Sequence, residues 1–171
     1  MSSATESIAT QGPMKDPARE LLRHVVATLA YRAGKTLRGA PESFAEFKAC
    51  PHTRTPVEIL AHMGDLADWA LSIVSGTQKW QSSKPLAWPE EVDRFFASLC
   101  ALDAYLASDQ PLNGDVAKLF QGGLADALTH TGQIGMLRGI AGCAVRPENY
   151  YVAKIEMGRV GVDQAGPVRE F

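Results

Sequence analysis

The stretch Thr55–Leu66, TPVEILAHMGDL, contains the clearest helix start in the chain. Thr55 and Glu58 match a capping box, in which each side chain hydrogen-bonds to the backbone amide of the other residue. Pro56 fits the first helical position, where the amide hydrogen that proline lacks would have no partner. Apolar residues then recur at three- and four-residue steps up to Gly76: Ile59, Met63, Leu66, Ala70 and Ile73. The pattern predicts one amphipathic helix.

Three further helices of the same kind are predicted on either side of this one. They run from about Asp16 to Gly39, from Trp88 to Pro111, and from Asn113 or Asp115 to Ile140, where Gly142 supplies a left-handed stop. Four amphipathic helices of similar length bury their apolar faces most simply against one another. We therefore predict an all-α fold, a four-helix bundle over residues 16–142.

The two ends of the chain lack this helical period. Residues 1–15 are polar and are predicted to be a disordered lead-in without the features of a secretory signal. Residues 143–171 are predicted to form an irregular C-terminal tail packed on the bundle. Within this tail, YYVAKIEM (150–157) is a candidate for a short extended segment.

Composition excludes several classes of function. The 171 residues are 46% apolar and 21% charged, which is ordinary for a soluble globular protein, and the net charge of -2 gives no basic footprint for nucleic acid. No run of about 20 apolar residues is present to span a membrane. The three cysteines are widely spaced, so neither a disulfide framework nor a CxxC metal site is indicated, and we expect a cytoplasmic protein.

Polar residues on apolar helix faces are the candidates for chemistry. His62 falls between Ile59 and Leu66 on the apolar side of its helix. Asp126 and His130 lie four residues apart on the fourth helix, with Gln133 one turn further, so all three follow one line. A buried carboxylate is expensive unless it is paired or bound to a metal.

Two interpretations of these residues stay open at this point. His62 by itself is typical of a hydrogen-bonded core histidine, and Asp126 with His130 is typical of a polar pair on a helix. Together the three could instead hold a metal ion, since bundle sites use inward carboxylates and imidazoles from facing helices. This ligand set suits Zn, Ni, Fe or Mn. Gln133 is then a candidate for orienting His130 or a bound ligand.

Glycines on the fourth helix are unusual, because each costs roughly 1 kcal/mol relative to alanine in a helix interior. They are Gly122, Gly123, Gly132, Gly135 and Gly139. We expect them to permit close approach of another helix or of a second subunit. The tryptophans near the second and third helices, Trp69, Trp80 and Trp88, are predicted to cover the core, with the lining of a pocket as the alternative.

The helix start TPVEILAHMGDL, the segment DALTHTGQIGMLRGIAG (126–142) and the helix order resemble the DinB/YfiT-like superfamily of metal-dependent bundle proteins. The resemblance covers roughly residues 16–142. In that superfamily one His on the second helix and two His four apart on the last helix hold a divalent metal, usually Zn or Ni. His62 matches the first of these and His130 the last. Asp126 stands where the family most often has His, and Asp can also ligate.

The resemblance implies a loose range of activities, from transferases that use low-molecular-weight thiols to hydrolases and isomerases. We therefore expect a small divalent-metal protein, a transferase or hydrolase that activates a metal-bound thiol or water and acts on a small molecule. Zn or Ni is the expected metal, with Fe and Mn as further choices. Homodimers are frequent in the superfamily, and a homodimer is expected here. The alternative is a metal-free bundle that serves as a binding or stress-response module.

Overall fold

The computed structural model describes residues 16–171, so the predicted lead-in at 1–15 lies outside the described residues. The long helices are α1 (Pro17–Leu37), α2 (Pro56–Val74), α3 (Trp88–Ala107) and α5 (Ala125–Ile140). A short helix, α4 (Val116–Leu119), and a π-helical turn (Phe120–Leu124) precede α5. Two 3-10 turns cover Glu42–Phe44 and Tyr150–Val152.

Local hydrogen bonds at the helix starts follow the predicted caps. The Asp16 carboxylate accepts a bond from the amide of Ala18 at 3.0 Å, just before Pro17. At α2 the capping box is complete, because the Glu58 amide donates to Thr55 Oγ1 at 3.3 Å and the Thr55 amide donates to Glu58 Oε2 at 2.7 Å. These bonds satisfy amides that have no partner inside the helix, and so they fix the first residue of each helix.

The long helices pack around one core. Helix α2 contacts α3 and α5, and α1 contacts the same two helices from the other side. The fully buried side chains of this core come from all four: Val26, Leu29, Leu60, Met63, Phe95, Leu99, Leu102 and Ile134. The all-α prediction is confirmed for residues 16–171, and these contacts are consistent with a helical bundle. No helix in this part of the chain is long and apolar enough to cross a membrane.

The predicted fourth helix is interrupted. Asp115 caps its start, as expected, by accepting from the Lys118 amide at 3.0 Å. The π-helical turn then follows, closed by a bond from the Ala125 amide to the Phe120 carbonyl. Such a turn carries an i→i+5 bond and changes the phase of the helix that follows it. The sequence prediction of one regular helix was therefore wrong at residues 120–124.

The glycines of this segment fall into two groups. A Cβ built on Gly123 would lie 3.3 Å from Ala70 Cβ, and one built on Gly122 would lie 3.3 Å from the Trp69 ring, so both glycines permit close approach of α2. A Cβ on Gly132 or Gly139 would meet no atom within 4 Å among residues 16–171, and one on Gly135 would lie at an ordinary contact distance of 3.8 Å from Thr36 Cγ2. Only the first group supports helix packing within this chain.

Helix α5 ends at the predicted stop, since Gly142 has a φ of 78°. Just before this stop, the buried Arg138 guanidinium donates to the carbonyls of Thr36 and Arg38, each at 2.8 Å, and to that of Cys143 at 2.9 Å. These bonds join the last turns of α5 and α1, because one planar guanidinium satisfies carbonyls from both.

The C-terminal segment lies against α1. The buried Glu148 carboxylate accepts a hydrogen bond from Tyr31 Oη at 2.6 Å and forms an ion pair with Lys35 Nζ at 3.0 Å. Lys35 also bonds to Glu170 at 2.6 Å. Burial lowers the pKa of Lys35, but these hydrogen bonds to Glu170 and Glu148 outweigh it and raise the pKa overall.

No β-strand forms within residues 16–171; one isolated bridge joins Glu148 and Glu170. The extended segment expected at 150–157 is instead a 3-10 turn at Tyr150–Val152 followed by irregular chain. The prediction of an extended segment was therefore wrong at Tyr150–Val152, whereas Ala153 does have an extended backbone.

Candidate metal centre

The predicted metal ligands come from the two helices that approach each other at Gly123. His62 lies in the second turn of α2, with its phase set by the Thr55 cap. Asp126 and His130 lie one turn apart at the beginning of α5, just after the π-helical turn. Because α2 and α5 are in contact, a side chain from each helix reaches the same small volume.

The three side chains form one cluster. Asp126 Oδ2 lies 3.6 Å from His62 Nε2, and Asp126 Oδ1 lies 3.6 Å from His130 Nε2. The imidazole rings have centroids 4.9 Å apart and planes at 83°. One ligand atom from each residue can be chosen so that all three lie within 4.8 Å of one another. Within residues 16–171 this is the one group of three or more His, Cys, Asp or Glu side chains with that property.

These distances fit a divalent ion. Ligand atoms at 2.0–2.2 Å around a tetrahedral ion are about 3.4 Å from one another. The two 3.6 Å separations, which involve different Asp126 oxygens, are close to that value. In the set with one ligand atom from each residue, no pair has to close by more than about 1.4 Å. A separation of 3.6 Å is also too long for a hydrogen bond. The three groups therefore face one another at separations that suit coordination of one ion better than direct hydrogen bonding.

Gln133 orients one of the imidazoles. Its side-chain oxygen lies 2.7 Å from His130 Nδ1. An amide oxygen only accepts hydrogen bonds, so Nδ1 is the donor in this contact, and in the neutral imidazole Nε2 then carries the lone pair on the side of Asp126. A metal-binding histidine usually donates its other ring N–H to an acceptor in this way, which fixes the orientation of the ring.

The site is partly screened from water. The side chains of His130, His62 and Asp126 are 12%, 24% and 45% exposed. Burial, followed by the charges of His130 and Arg54, lowers the pKa of His62, while Asp126 opposes this shift. His62 is consequently neutral at pH 7, which is the form that binds metals.

An indole covers the His62 side of the cluster. The Trp80 ring meets the His62 ring edge-on at a centroid distance of 5.7 Å, and Trp69 meets Trp80 at 5.9 Å. Trp88 lies elsewhere, against Phe44 at 5.8 Å. Trp88 is buried in the core, as predicted, whereas Trp69 lines a separate cavity and Trp80 lies beside the candidate site.

A buried polar network holds the loop that carries Trp80. The amide of Ser83 donates to Asp65 Oδ2 at 2.9 Å. Arg94 donates to Asp65 Oδ1 at 3.0 Å and to the fully buried Glu91 at 2.6 Å. The network ties the loop after α2 to both α2 and α3. The two contacts of Asp65 that hold this loop, with Ser83 and with Arg94, join residues 18 and 29 positions apart in the chain. A local sequence pattern does not indicate contacts over such separations.

A cavity of about 370 Å³ opens beside His130. Its lining is mostly apolar, with two polar residues from the loop before α2: Ile59, Met136, Leu137, His130, Gln133, Thr53 and Arg54. Sequence reasoning missed Arg54, because its place in this cavity depends on the contact between α2 and α5. The two other histidines, His24 and His52, are exposed and do not join the cluster.

The chain matches no protein-family model, no curated protein and no solved structure. The resemblance to the DinB/YfiT-like superfamily therefore stays a prediction. The candidate site rests on the geometry of three side chains on two helices.

Proposed function

We propose that the protein binds one divalent metal ion through His62, Asp126 and His130 and is a DinB-like enzyme, a transferase or hydrolase. The observation that carries this proposal is the convergence of three ligand atoms within 4.8 Å, from two helices, without hydrogen bonds among them. Three protein ligands leave coordination positions open, as catalytic sites do and structural sites do not. A divalent ion held there would lower the pKa of a bound thiol or water and supply a nucleophile at neutral pH.

The residues of the chain have separate roles in this proposal. Asp126 contributes one negative charge that partly offsets the charge of a divalent ion, and its exposed face leaves the site open to solvent. Gln133 holds the proton on Nδ1 of His130 and so keeps Nε2 free. Trp80 screens His62 from water. The cavity beside His130 provides room for a small substrate such as a low-molecular-weight thiol.

Zn or Ni is the proposed metal. Two imidazole nitrogens and one carboxylate oxygen suit both ions. The same ligand set also occurs in non-haem iron sites, and a carboxylate in place of a third imidazole favours harder ions such as Mn. Competition between metals in one dialysis experiment would rank them directly.

The test is equilibrium dialysis of the tag-free chain against Zn and Ni, followed by elemental analysis. The parent should bind about one ion, and His62→Ala or His130→Ala should lose most of it. Asp126→His should retain or strengthen binding, because imidazole is the better ligand for both metals. His24→Ala, an exposed histidine on α1, is the matched control and should bind as the parent does. Equal uptake by the parent and His130→Ala would overturn the proposal.

A second readout uses Trp80. Ni bound beside His62 should quench tryptophan fluorescence, because the indole lies 5.7 Å from that imidazole. Trp80→Phe should lose most of the quenching while dialysis shows unchanged Ni uptake. This pair of results distinguishes binding at the cluster from binding elsewhere on the chain.

One observation favours the metal-free alternative, a binding module without catalysis. Asp126 lies at the same 3.6 Å from both imidazoles, so protonation of either one would give an ion pair without any metal. No uptake of Zn, Ni, Fe or Mn by the parent would select this function.

A further inference from the structure

The cavity beside the candidate metal centre has one apolar side and one cationic corner. Ile59 and Leu137 are buried and form the apolar wall of the cavity. Met136 extends this wall, and its side chain is largely exposed. Methionine is flexible and adapts to ligands of different shape. The volume of about 370 Å³ lies at the lower end of the range for small-molecule sites. The cavity therefore suits a small ligand with an apolar body.

Arg54 is the cation of this cavity and is available to a ligand. Within residues 16–171 it makes no hydrogen bond or salt bridge, whereas every other arginine there has a hydrogen bond, an ion pair or an aromatic ring as its partner. No other arginine or lysine lines the cavity.

The donors at the start of α2 are already occupied. The amides of Thr55 and Glu58 are used in the capping box, and the amide of Val57 donates to the Ala45 carbonyl at 3.1 Å. Pro56 has no amide hydrogen. The Thr53 hydroxyl donates to the Cys50 carbonyl at 2.9 Å. The start of α2 therefore cannot offer the free backbone amides that bind phosphate at other helix N-termini.

A single free guanidinium matches a carboxylate better than a phosphate dianion. The planar guanidinium makes two parallel hydrogen bonds to one carboxylate and neutralises its single charge. We propose that the cavity binds a small carboxylate with an apolar body, held by Arg54 and directed towards His130. This inference rests on the proposed function for its chemistry, because it names the substrate class that the metal centre would act on.

The experiment measures binding of three probes to the full chain by calorimetry, in the metal-free and the Zn-loaded forms. The probes are benzoate, its uncharged isostere benzamide, and phenyl phosphate. Benzoate should bind the parent at least tenfold more tightly than benzamide does, and more tightly than phenyl phosphate. Arg54→Gln should weaken benzoate binding at least tenfold in both forms, whereas Arg54→Lys should retain part of the affinity.

Arg146→Gln is the matched control. Arg146 lines a separate cavity of about 190 Å³ between α1, α5 and the C-terminal segment, so its replacement should leave benzoate binding unchanged. Equal affinity of the parent and Arg54→Gln, or of benzoate and benzamide, would overturn the inference. So would tighter binding of phenyl phosphate, no binding of benzoate, or a loss of binding in Arg146→Gln alone.

The two proposals fail separately. Zn uptake by dialysis reports on His62, Asp126 and His130, and Arg54→Gln should leave that uptake unchanged. If Zn does not bind while benzoate binds the metal-free chain through Arg54, the metal centre is lost and the carboxylate site stands. If Zn binds and benzoate does not, the metal centre stands and the substrate class is wrong.

Discussion

Replacement of Gly123 by alanine should weaken both the fold and the metal centre. The new Cβ would lie 3.3 Å from Ala70 Cβ and 3.6 Å from the Leu66 carbonyl oxygen, both on α2. The first distance is shorter than the 3.5–4.0 Å at which carbon atoms attract each other. The segment that begins α5 must therefore move away from α2 by a few tenths of an ångström. Asp126 follows three residues later and would move with it.

The magnitude follows from two opposing effects. Alanine gains up to about 1 kcal/mol over glycine in a helix interior. Overpacking of a filled contact costs about 1–3 kcal/mol. We expect Gly123→Ala to lower the free energy of unfolding by about 1 kcal/mol. The affinity for Zn or Ni should fall as well, because His62 is on α2 and the other two ligands are on α5.

Gly132→Ala, within α5 itself, is the matched control. Its Cβ would meet no atom within 4 Å among residues 16–171, so only the gain in helix propensity, up to about 1 kcal/mol, should remain. For a domain of this size that gain raises the unfolding temperature by about 2–4 °C. Urea denaturation and Zn dialysis of both variants provide the comparison. The reasoning is wrong if Gly123→Ala is as stable as Gly132→Ala, or if it binds Zn as tightly as the parent.

Three other predictions concern the caps and the surface. Thr55→Ala should destabilise the chain by about 1 kcal/mol in urea denaturation, and coincident midpoints would contradict the capping role. The hydrogen bond from the Thr55 amide lowers the pKa of Glu58 below its ordinary value of 4.5. The contribution of the Glu58 carboxylate to the stability of the fold should therefore be complete above pH 4.5 and disappear as the pH falls through the lowered pKa. The stability difference between parent and Glu58→Gln should therefore shrink in acid, whereas a constant difference would refute the assignment. Sedimentation at micromolar concentration should give a mass of about twice 18.4 kDa, that of a homodimer. Met136→Glu, on the exposed face of α5, should shift the protein towards the monomer. A parent protein that sediments as a monomer would contradict the predicted dimer.

Helix boundaries could be predicted from the sequence because they depend on contacts between residues close in the chain. The Thr55–Glu58 box, the Asp16 and Asp115 caps and the Gly142 stop are all formed within a few residues, so residue type and spacing are sufficient to indicate them. The inward direction of His62 followed from the same information, since its phase is counted from Thr55. The π-helical turn did not follow, because glycines in a helical pattern do not specify which hydrogen-bond ring closes.

The candidate site depended on contacts that cross the chain. The sequence placed Asp126 and His130 on one line of α5, but only packing against α2 put His62 within 3.6 Å of the carboxylate. Trp80 reaches His62 because Asp65 and Arg94 hold its loop. Arg54 lies in the cavity because the start of α2 meets α5 there. The physical reason is range: hydrogen-bond patterns and hydrophobic period are local and visible in sequence, whereas distances between helices depend on how their side chains fill the space between them.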